Sequence, residues 1–218
     1  MTQAAEPLVA ALSAAIERYD NWIDAELKKE QENNAVDVTL YHYTNVAGLR
    51  GILESGTVWF TDFRHMNDPS EITHGIEISH DVIRDIKTGA DGRVGLFLDC
   101  LADMMRLENF SRALEYFIGS FSRARDDLGQ WRAYADNGRG VAIGFAPHLF
   151  GVENTTDMKP DEAAFVSPVV YDLAELSRRH LVAIDQAVRI FVETASAHPA
   201  LLTTPLLECR LCKTLRAG

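Results

Sequence analysis

The chain has 218 residues, 47% of them hydrophobic and 24% charged, and it carries a formal net charge of −11 at pH 7. This is ordinary globular composition, and no apolar run approaches the ~18 residues that a membrane-spanning helix requires. The acidic balance argues against a general affinity for nucleic acid, because non-specific binding depends on lysines and arginines that neutralise phosphates.

A helix is predicted at the start of the chain. Apolar residues recur near helical spacing between residues 6 and 31, and a polar run from Gln31 to Asn34 follows them. The first residues lack a basic region followed by an apolar core, so we expect no secretory signal, no membrane partner and a cytoplasmic protein. We predict an N-terminal helix over residues 1–35 and a single α+β domain over residues 36–218.

The next segment predicts a strand with a histidine at its end. Val36, Val38 and Leu40 alternate with Asp37, Thr39 and Tyr41, and this period of two is typical of a strand. His42 continues the face of Val38 and Leu40, so we expect its ring to point toward the core rather than into solvent.

A short helix and a second strand are predicted to follow. Asn45 is placed to cap the helix, and Gly56 is placed to end it in a left-handed conformation. Residues 57–61 are rich in β-branched and aromatic side chains, so they predict a strand that ends at Asp62. Residues 64–69 predict a polar loop of the kind in which functional residues collect.

The remaining elements follow from the same two periods. Apolar spacing predicts helices, and β-branched or aromatic runs predict strands, the last of them at a sheet edge because it contains a proline. In chain order these are helices within 72–86 and 96–107, a strand at 116–122, a short helix between strands, a strand at 141–145, an edge strand at 165–171 and a long helix over 173–192. This order predicts an α+β fold with a mostly antiparallel or mixed sheet.

Two pairs of side chains in these elements are candidate binding residues. Ser120 and Ser122 occupy alternate strand positions and share a face, as two groups of a nucleotide pocket would, although they could equally bind backbone or water. Trp131 and Tyr134 stand three residues apart on one helix face. We assign Trp131 to the core and leave the role of Tyr134 open.

The segment 67–71, Asn-Asp-Pro-Ser-Glu, admits more than one role. Asp68 as N-cap, a proline after it and Glu71 three residues beyond the cap make a good helix start, and the spacing favours this interpretation. Glu71 is otherwise a candidate catalytic carboxylate. Glu71 and His74 could also join His42 on a metal ion, but nothing in the sequence fixes that third ligand, and we expect no metal.

A local basic patch is a further candidate. Four arginines flanked by Trp131 and Tyr134 could bind nucleic acid locally, with the rings stacking a base. We favour the interpretation that they are solvated or paired with Asp126, Asp127 and Asp136, since such surface charges contribute little. These arginines are Arg123, Arg125, Arg132 and Arg139.

Cys209 and Cys212 form a C-x-x-C pair, but no second pair or nearby histidine completes the four ligands of a structural zinc site. We interpret them as two cysteines of a terminal helix, and Cys100 as a small buried thiol in an apolar helix.

Two motifs resemble the opening of the ADP-ribosyltransferase-like fold. His42-Tyr43-Thr44 is similar to its first strand, and Gly56–Asp62 is similar to its Gly-aromatic strand, with Trp59 where a tyrosine usually stacks on nicotinamide. The resemblance implies NAD as a substrate whose nicotinamide ribose bonds to His42, with Thr44 assisting and a glutamate stabilising the oxocarbenium-like centre. The catalytic candidates are then His42 and Glu71, and the NAD-binding candidates are Tyr43, Thr44, Trp59, Asn67, Ser120, Ser122 and Tyr134.

Five motifs occur together between about residues 38 and 146. They are Tyr41–Thr44, Asn67–Glu71, Phe121-Ser122, Trp131–Asp136 and Arg139–Phe145. Their combination resembles a bacterial family with no assigned function, domain-of-unknown-function family 2971, and is specific although each motif alone is weak. The resemblance implies no activity, so function must be argued from the site.

The end of the chain departs from that family. The family usually continues into a lysine-containing helix and a strand with a Glu-x-Glu-Trp-Arg-like segment, the counterpart of the transferase glutamate, but residues 206–218 contain none. We therefore predict a shortened chain.

Two hypotheses follow. One is an NAD-using ADP-ribosyltransferase-like enzyme that modifies a protein or nucleic acid in a bacterial toxin or antiphage setting. The other is a non-catalytic relative that binds a ligand or partner.

Overall fold

The structure, a computed structural model, describes residues 6–66, 70–113, 116–150 and 166–199. It confirms an α+β protein with small antiparallel sheets. The helices are α1 Glu6–Asn33, α2 Val46–Ser55, α3 Ser70–Thr88, α4 Gly92–Met104, α5 Leu107–Ala113, α6 Leu128–Tyr134 and α7 Leu173–Ala197, and the strands are β1 Leu40–Thr44, β2 Thr61–Asp62, β3 Phe117–Ile118 and β4 Val141–Phe145.

The chain divides into two compact units. A helical unit consists of Met1–Lys28, Arg64–Glu115 and Val169–Gly218, and a sheet unit consists of Lys29–Phe63 and Tyr116–Pro168. The domain boundary expected at residue 35 stays a prediction. Among the described helices, none is both long and apolar enough to cross a membrane.

Aliphatic side chains from three helices form the core of the helical unit. Ile78, Val82 and Ile83 of α3 pack with Leu98 of α4 and Ile184 of α7. The α3 residues recur at helical spacing, which places them on one face of the helix. The predicted helices within 72–86 and 173–192 are therefore confirmed as α3 and α7, and each buries one apolar stripe.

The edge strand predicted at 165–171 is wrong over the part that the structure describes. Residues 166–172 adopt no regular secondary structure, and Tyr171 is 85% exposed. A strand needs a partner for its backbone groups, and no described strand pairs with this segment. The prediction therefore depended on β-branched composition alone, and the described residues lack the pairing that a strand requires.

Two short antiparallel pairs make up the sheets of the sheet unit. β1 pairs with β4 in a register that sets His42 opposite Ile143 and Thr44 opposite Val141. β2 pairs with β3 through Thr61 opposite Ile118. The strand predicted at 141–145 is confirmed as β4, whereas those predicted at 57–61 and 116–122 shrink to β2 and β3.

β1 differs from the predicted strand in both its position and its burial. The strand begins at Leu40 rather than Val36 and runs to Thr44, so His42 lies in its middle instead of at its end. Val38 is exposed, and Tyr43 is only 5% exposed although it lies on the face opposite Leu40. Both faces of β1 are therefore covered in places, and the single buried face inferred from the alternation is wrong.

The helix between the first two strands begins and ends as predicted. The Asn45 side chain accepts a hydrogen bond of 2.8 Å from the Gly48 N–H at the start of α2. Gly56 ends α2 with φ 69°, and its N–H donates to the Ile52 carbonyl. Both signals lie within a few residues of the helix, and this explains why the sequence alone reveals them.

Candidate functional site

β1 carries three candidate residues of the sheet unit. His42 and Thr44 share one face of the strand, and Tyr43 points to the other. His42 is half-buried, and its Nδ1 lies 3.1 Å from the Ser120 carbonyl oxygen. The structure thus brings His42 together with Ser120, one of the serines selected from the sequence, through the backbone of that serine rather than its hydroxyl.

The bond to Ser120 determines which ring nitrogen of His42 carries the proton. A carbonyl oxygen only accepts hydrogen bonds, so Nδ1 must be the donor. In the neutral imidazole the lone pair then lies on Nε2, which becomes a hydrogen-bond acceptor. A histidine in this state suits a ligand hydroxyl that donates a hydrogen bond.

Aromatic rings support His42 from within the sheet unit. The His42 ring is tilted against Phe121, with 5.6 Å between the ring centroids. Phe121 in turn packs edge-on against Phe145 at 5.5 Å and Phe150 at 5.1 Å. Edge-to-face arrangements of this kind are the favoured geometry of aromatic pairs. His42 therefore rests on a packed aromatic cluster.

Tyr43 serves the fold of the sheet unit. Its hydroxyl donates a hydrogen bond of 2.8 Å to the Ala124 carbonyl and accepts one of 3.2 Å from the Asp127 N–H. Its ring meets Trp131 edge-on, with 4.9 Å between centroids. A buried hydroxyl that has both a donor and an acceptor partner is satisfied. The sequence pointed to Tyr43 as a ligand contact and missed this role.

Trp131 is half-buried and held in one orientation. Its indole Nε1 donates a hydrogen bond of 2.6 Å to Asp126. Asp127 caps α6 by accepting from the Gln130 N–H at 2.8 Å. Trp131 was assigned to the core from the sequence, and the structure shows it half-buried, with the Tyr43 ring packed against it.

Two glycines allow the backbone to approach Thr44 closely. A Cβ atom at Gly48 would lie 2.1 Å from the Thr44 Oγ1, and one at Gly140 would lie 2.2 Å from the Thr44 carbonyl oxygen. Neither distance is compatible with a side chain. The Gly140 contact could not be predicted from the sequence, because it joins segments that are far apart along the chain, whereas Gly48 lies only four residues after Thr44.

The remaining candidates of the sheet unit are exposed or bonded within their own loop. Trp59 is 85% exposed, and Tyr134 is also exposed. Ser122 forms a backbone bridge with Tyr41, and its Oγ accepts from the Ala124 N–H at 3.1 Å. The hydroxyl of Ser122 therefore fixes a turn of its own loop, as the alternative of backbone bonding allowed.

The acidic segment 67–71 is described only in part. Asn67 and Asp68 lie outside the described residues, as do Cys209 and Cys212. Glu71 lies in the first turn of α3, in the helical unit, and its side chain is outside the described part of the structure. Among the described residues, no group of three histidine, cysteine or carboxylate side chains is placed to hold a metal ion.

The four arginines selected from the sequence do not share one environment. Arg139 pairs with Asp136 at 2.8 Å, as the favoured interpretation allowed. Arg123, Arg125 and Arg132 are exposed and make no ion pair with a described carboxylate. They are solvated, which is the other outcome that this interpretation allowed.

Comparison with known proteins gives a match to a family over part of the chain, and no activity. The family model described as "Protein of unknown function (DUF2971)" matches residues 130–200. The matched range contains Trp131–Asp136 and Arg139–Phe145, so it supports the resemblance that these motifs indicate. No curated protein and no solved structure matches the chain.

Proposed function

We propose that this chain is an ADP-ribosyltransferase-like protein that takes NAD as substrate at the β1 face carrying His42 and Thr44. The observation that supports the proposal is the hydrogen bond of 3.1 Å between His42 Nδ1 and the Ser120 carbonyl. It leaves Nε2 as an acceptor, which is what a ribose hydroxyl needs when it donates. The macromolecular target would be a protein or nucleic acid, in a bacterial toxin or antiphage setting.

His42 and Thr44 would position the nicotinamide ribose in this reaction. The bond between the ribose carbon and the nicotinamide nitrogen breaks, and its electron pair leaves with neutral nicotinamide. A nucleophile of the target then bonds to the positively charged ribose carbon and loses a proton. Trp59, whose ring is 85% exposed, would stack on the nicotinamide. By holding the ribose in a reactive orientation, His42 and Thr44 would raise the reaction rate without taking part in a bond change.

A carboxylate is also required to stabilise the positive charge at the ribose carbon. Glu71 is the candidate for that role, and capping of α3 is the alternative role that its position three residues after Asp68 favours. A Glu71→Ala variant separates the two, because alanine removes both the carboxylate and the cap, whereas glutamine could still cap the helix. Loss of turnover with unchanged NAD binding indicates catalysis, whereas loss of stability with unchanged turnover per folded molecule indicates capping.

A non-catalytic binding module is the second candidate function. In the described part of the sheet unit, His42 has the Ser120 carbonyl and Phe121 as partners, and no carboxylate forms a hydrogen bond or ion pair with it. A binding site needs only the acceptor and the hydroxyl on β1, without that charge. This candidate predicts NAD binding without nicotinamide release.

Calorimetry with NAD and an assay of nicotinamide release test both candidates. The variant is His42→Ala, and the matched control is His148→Ala, which removes an exposed histidine from the same unit. Binding and release that only His42→Ala abolishes support the transferase. Binding without nicotinamide release supports the non-catalytic binding module. An absence of NAD binding by the unmodified chain overturns both candidate functions.

A further inference from the structure

An open groove of about 430 Å³ runs along α6 in the sheet unit. Its volume falls in the range of pockets that hold small ligands. The lining combines an exposed aliphatic side chain, an indole ring, a guanidinium group, a carboxamide and glycine backbone. The residues are Leu128, Trp131, Arg132, Asn137, Gly138 and Gly140. Apolar, aromatic and hydrogen-bonding groups are the kinds of group that line ligand sites.

The groove is distinct from the site proposed for NAD. Trp131 meets Tyr43, and His42 meets Phe121. Because neighbouring residues of a strand point to opposite faces, the Trp131 side of β1 is the face away from His42. The two sites can therefore be tested independently by substitution.

Positive charge without described partners borders the groove. Most arginines in the described ranges are paired, as in Arg50 with Glu54 and Arg189 with Asp185. Arg132 lines the groove, is exposed and makes no ion pair with a described carboxylate. Arg123 and Arg125 do not line the groove, but they are likewise exposed and make no ion pair with a described carboxylate. Arg132 therefore offers the groove a positive charge that no described carboxylate pairs with, and this favours an anionic group of a ligand there.

The carboxylates between these arginines are engaged elsewhere. Asp126 accepts the indole N–H of Trp131 at 2.6 Å, and Asp127 accepts the Gln130 N–H at 2.8 Å. Each therefore orients α6 or its ring, and neither neutralises Arg132. The bond to Asp126 also fixes the plane of the Trp131 ring, as a stacking surface requires.

A turn with left-handed backbone also contributes to the lining of the groove. Asp136, Asn137 and Gly138 have φ of 49°, 55° and 85°, in the left-handed region that costs energy for residues other than glycine. The Ala135 carbonyl holds the turn by accepting from the N–H groups of Gly138 at 3.0 Å and Gly140 at 2.8 Å. The wall that carries Asn137 is thus fixed by the backbone before any ligand arrives.

We infer that this groove binds a single nucleotide, with its base against Trp131 and Leu128 and its phosphate at Arg132. Every base has an aromatic face that stacks on an indole ring, so the ring provides affinity without selecting a sequence. The planar guanidinium of Arg132 matches the oxygens of a phosphate and can bind two of them at once. Asn137 offers both a donor and an acceptor to the base edge.

Calorimetry of the full chain with AMP tests the inference, with adenosine and inorganic phosphate as half-ligands. The variant Arg132→Gln removes the charge but keeps a long polar side chain. Leu128→Glu places a negative charge at the groove from an exposed position, where the core is not disturbed. Arg50→Gln is the matched control, because it removes one exposed arginine from α2 in the same unit.

The inference predicts that AMP binds more tightly than adenosine or phosphate. Arg132→Gln and Leu128→Glu each weaken AMP binding about tenfold or more, while Arg50→Gln and His42→Ala leave it unchanged. AMP that fails to bind at about 1 mM overturns the inference. Equal weakening by Arg50→Gln, which indicates a general charge effect, also overturns it. NAD carries an AMP moiety that the groove would also bind, so the NAD site is tested with His42→Ala in the Arg132→Gln background, and failure there can then be told apart from failure at the groove.

Discussion

In the helical unit the main hydrophobic cluster consists of aliphatic side chains from α3, α4 and α7, whereas in the sheet unit the buried residues include Tyr43, whose hydroxyl binds two backbone groups. The first kind of packing needs only shape and apolar area, and it tolerates replacements of similar volume. The second kind depends on individual hydrogen bonds and on glycines that permit close backbone approach. Both candidate sites, at His42 and at the groove along α6, therefore lie in the unit whose packing depends on individual polar contacts.

We expect the greatest loss of stability from a substitution that leaves a cavity in the helical unit. Leu98→Ala should destabilise the protein by about 2–5 kcal/mol, because Leu98 is 0% exposed and its removal leaves an unfilled space. Denaturant unfolding measures the change. The control Leu181→Ala removes a leucine from an exposed position of α7 and should cost far less. Equal losses for the two variants would show that α4 is not part of the core.

The next effect contrasts two glycines of the sheet unit. Gly140→Ala should cost about 1–3 kcal/mol, because the new methyl group meets the Thr44 carbonyl and the Ala135 backbone, neither of which can rotate away. Gly51→Ala should stabilise by up to about 1 kcal/mol, since Gly51 lies within α2 and a Cβ there meets no atom within 4 Å. Thermal unfolding of both variants shows the signs, and a stable Gly140→Ala protein would refute the close approach.

Removal of one hydroxyl tests the polar packing of the sheet unit. Tyr43→Phe should cost about 1–3 kcal/mol, because it leaves the Ala124 carbonyl and the Asp127 N–H without their shared partner. Tyr134→Phe makes the same chemical change on an exposed ring of α6 and should change stability by less than about 0.5 kcal/mol. If Tyr43→Phe is as mild as its control, the hydroxyl is dispensable for the fold.

The smallest effect is a pH dependence of the helical unit. Burial lowers the pKa of the His180 imidazole. The buried Ser79 hydroxyl donates to the Gly75 carbonyl at 3.0 Å, and its oxygen lies 2.6 Å from His180 Nδ1. Because the folded pKa lies below the unfolded one, the stability from neutral His180 is complete above the unfolded pKa and is lost as the pH falls through the folded pKa.

A His180→Asn variant measures that contribution. The unmodified protein should lose more unfolding free energy than the variant when the pH falls from about 7 to about 5, since the variant has no imidazole to protonate at this position. His198→Asn, at the end of α7, is the control for the loss of one histidine. Parallel pH profiles for the unmodified protein and His180→Asn would mean that burial of His180 has no thermodynamic consequence.

Local signals explain what the sequence predicted correctly. The cap at Asn45, the left-handed stop at Gly56 and the apolar stripe of α7 are each encoded within one element. The strands were predicted less well, because pairing joins distant segments, as β1 with β4 does. The run near Tyr171 had strand composition but found no described partner. Composition thus predicted helices better than it predicted sheets.

The candidate site shows the same division between local and distant information. His42 lies on a strand, as predicted, and is half-buried, but its partner is the carbonyl of Ser120, and residue identity does not reveal a backbone partner. The structural role of Tyr43 and the requirement for glycine at Gly140 depend on contacts across the unit. The cap Asp127, one residue before α6, was the signal that could have revealed the oriented helix beside the groove.

The proposal that His42 receives NAD depends on the protonation of one ring, which nuclear magnetic resonance can observe directly. In protein with ¹⁵N-labelled histidine, the spectrum should show His42 with its proton on Nδ1, and NAD should shift the Nε2 signal of His42 while leaving that of exposed His148 in place. A proton on Nε2 in the free protein, or an Nε2 signal that does not respond to saturating NAD, would contradict the account.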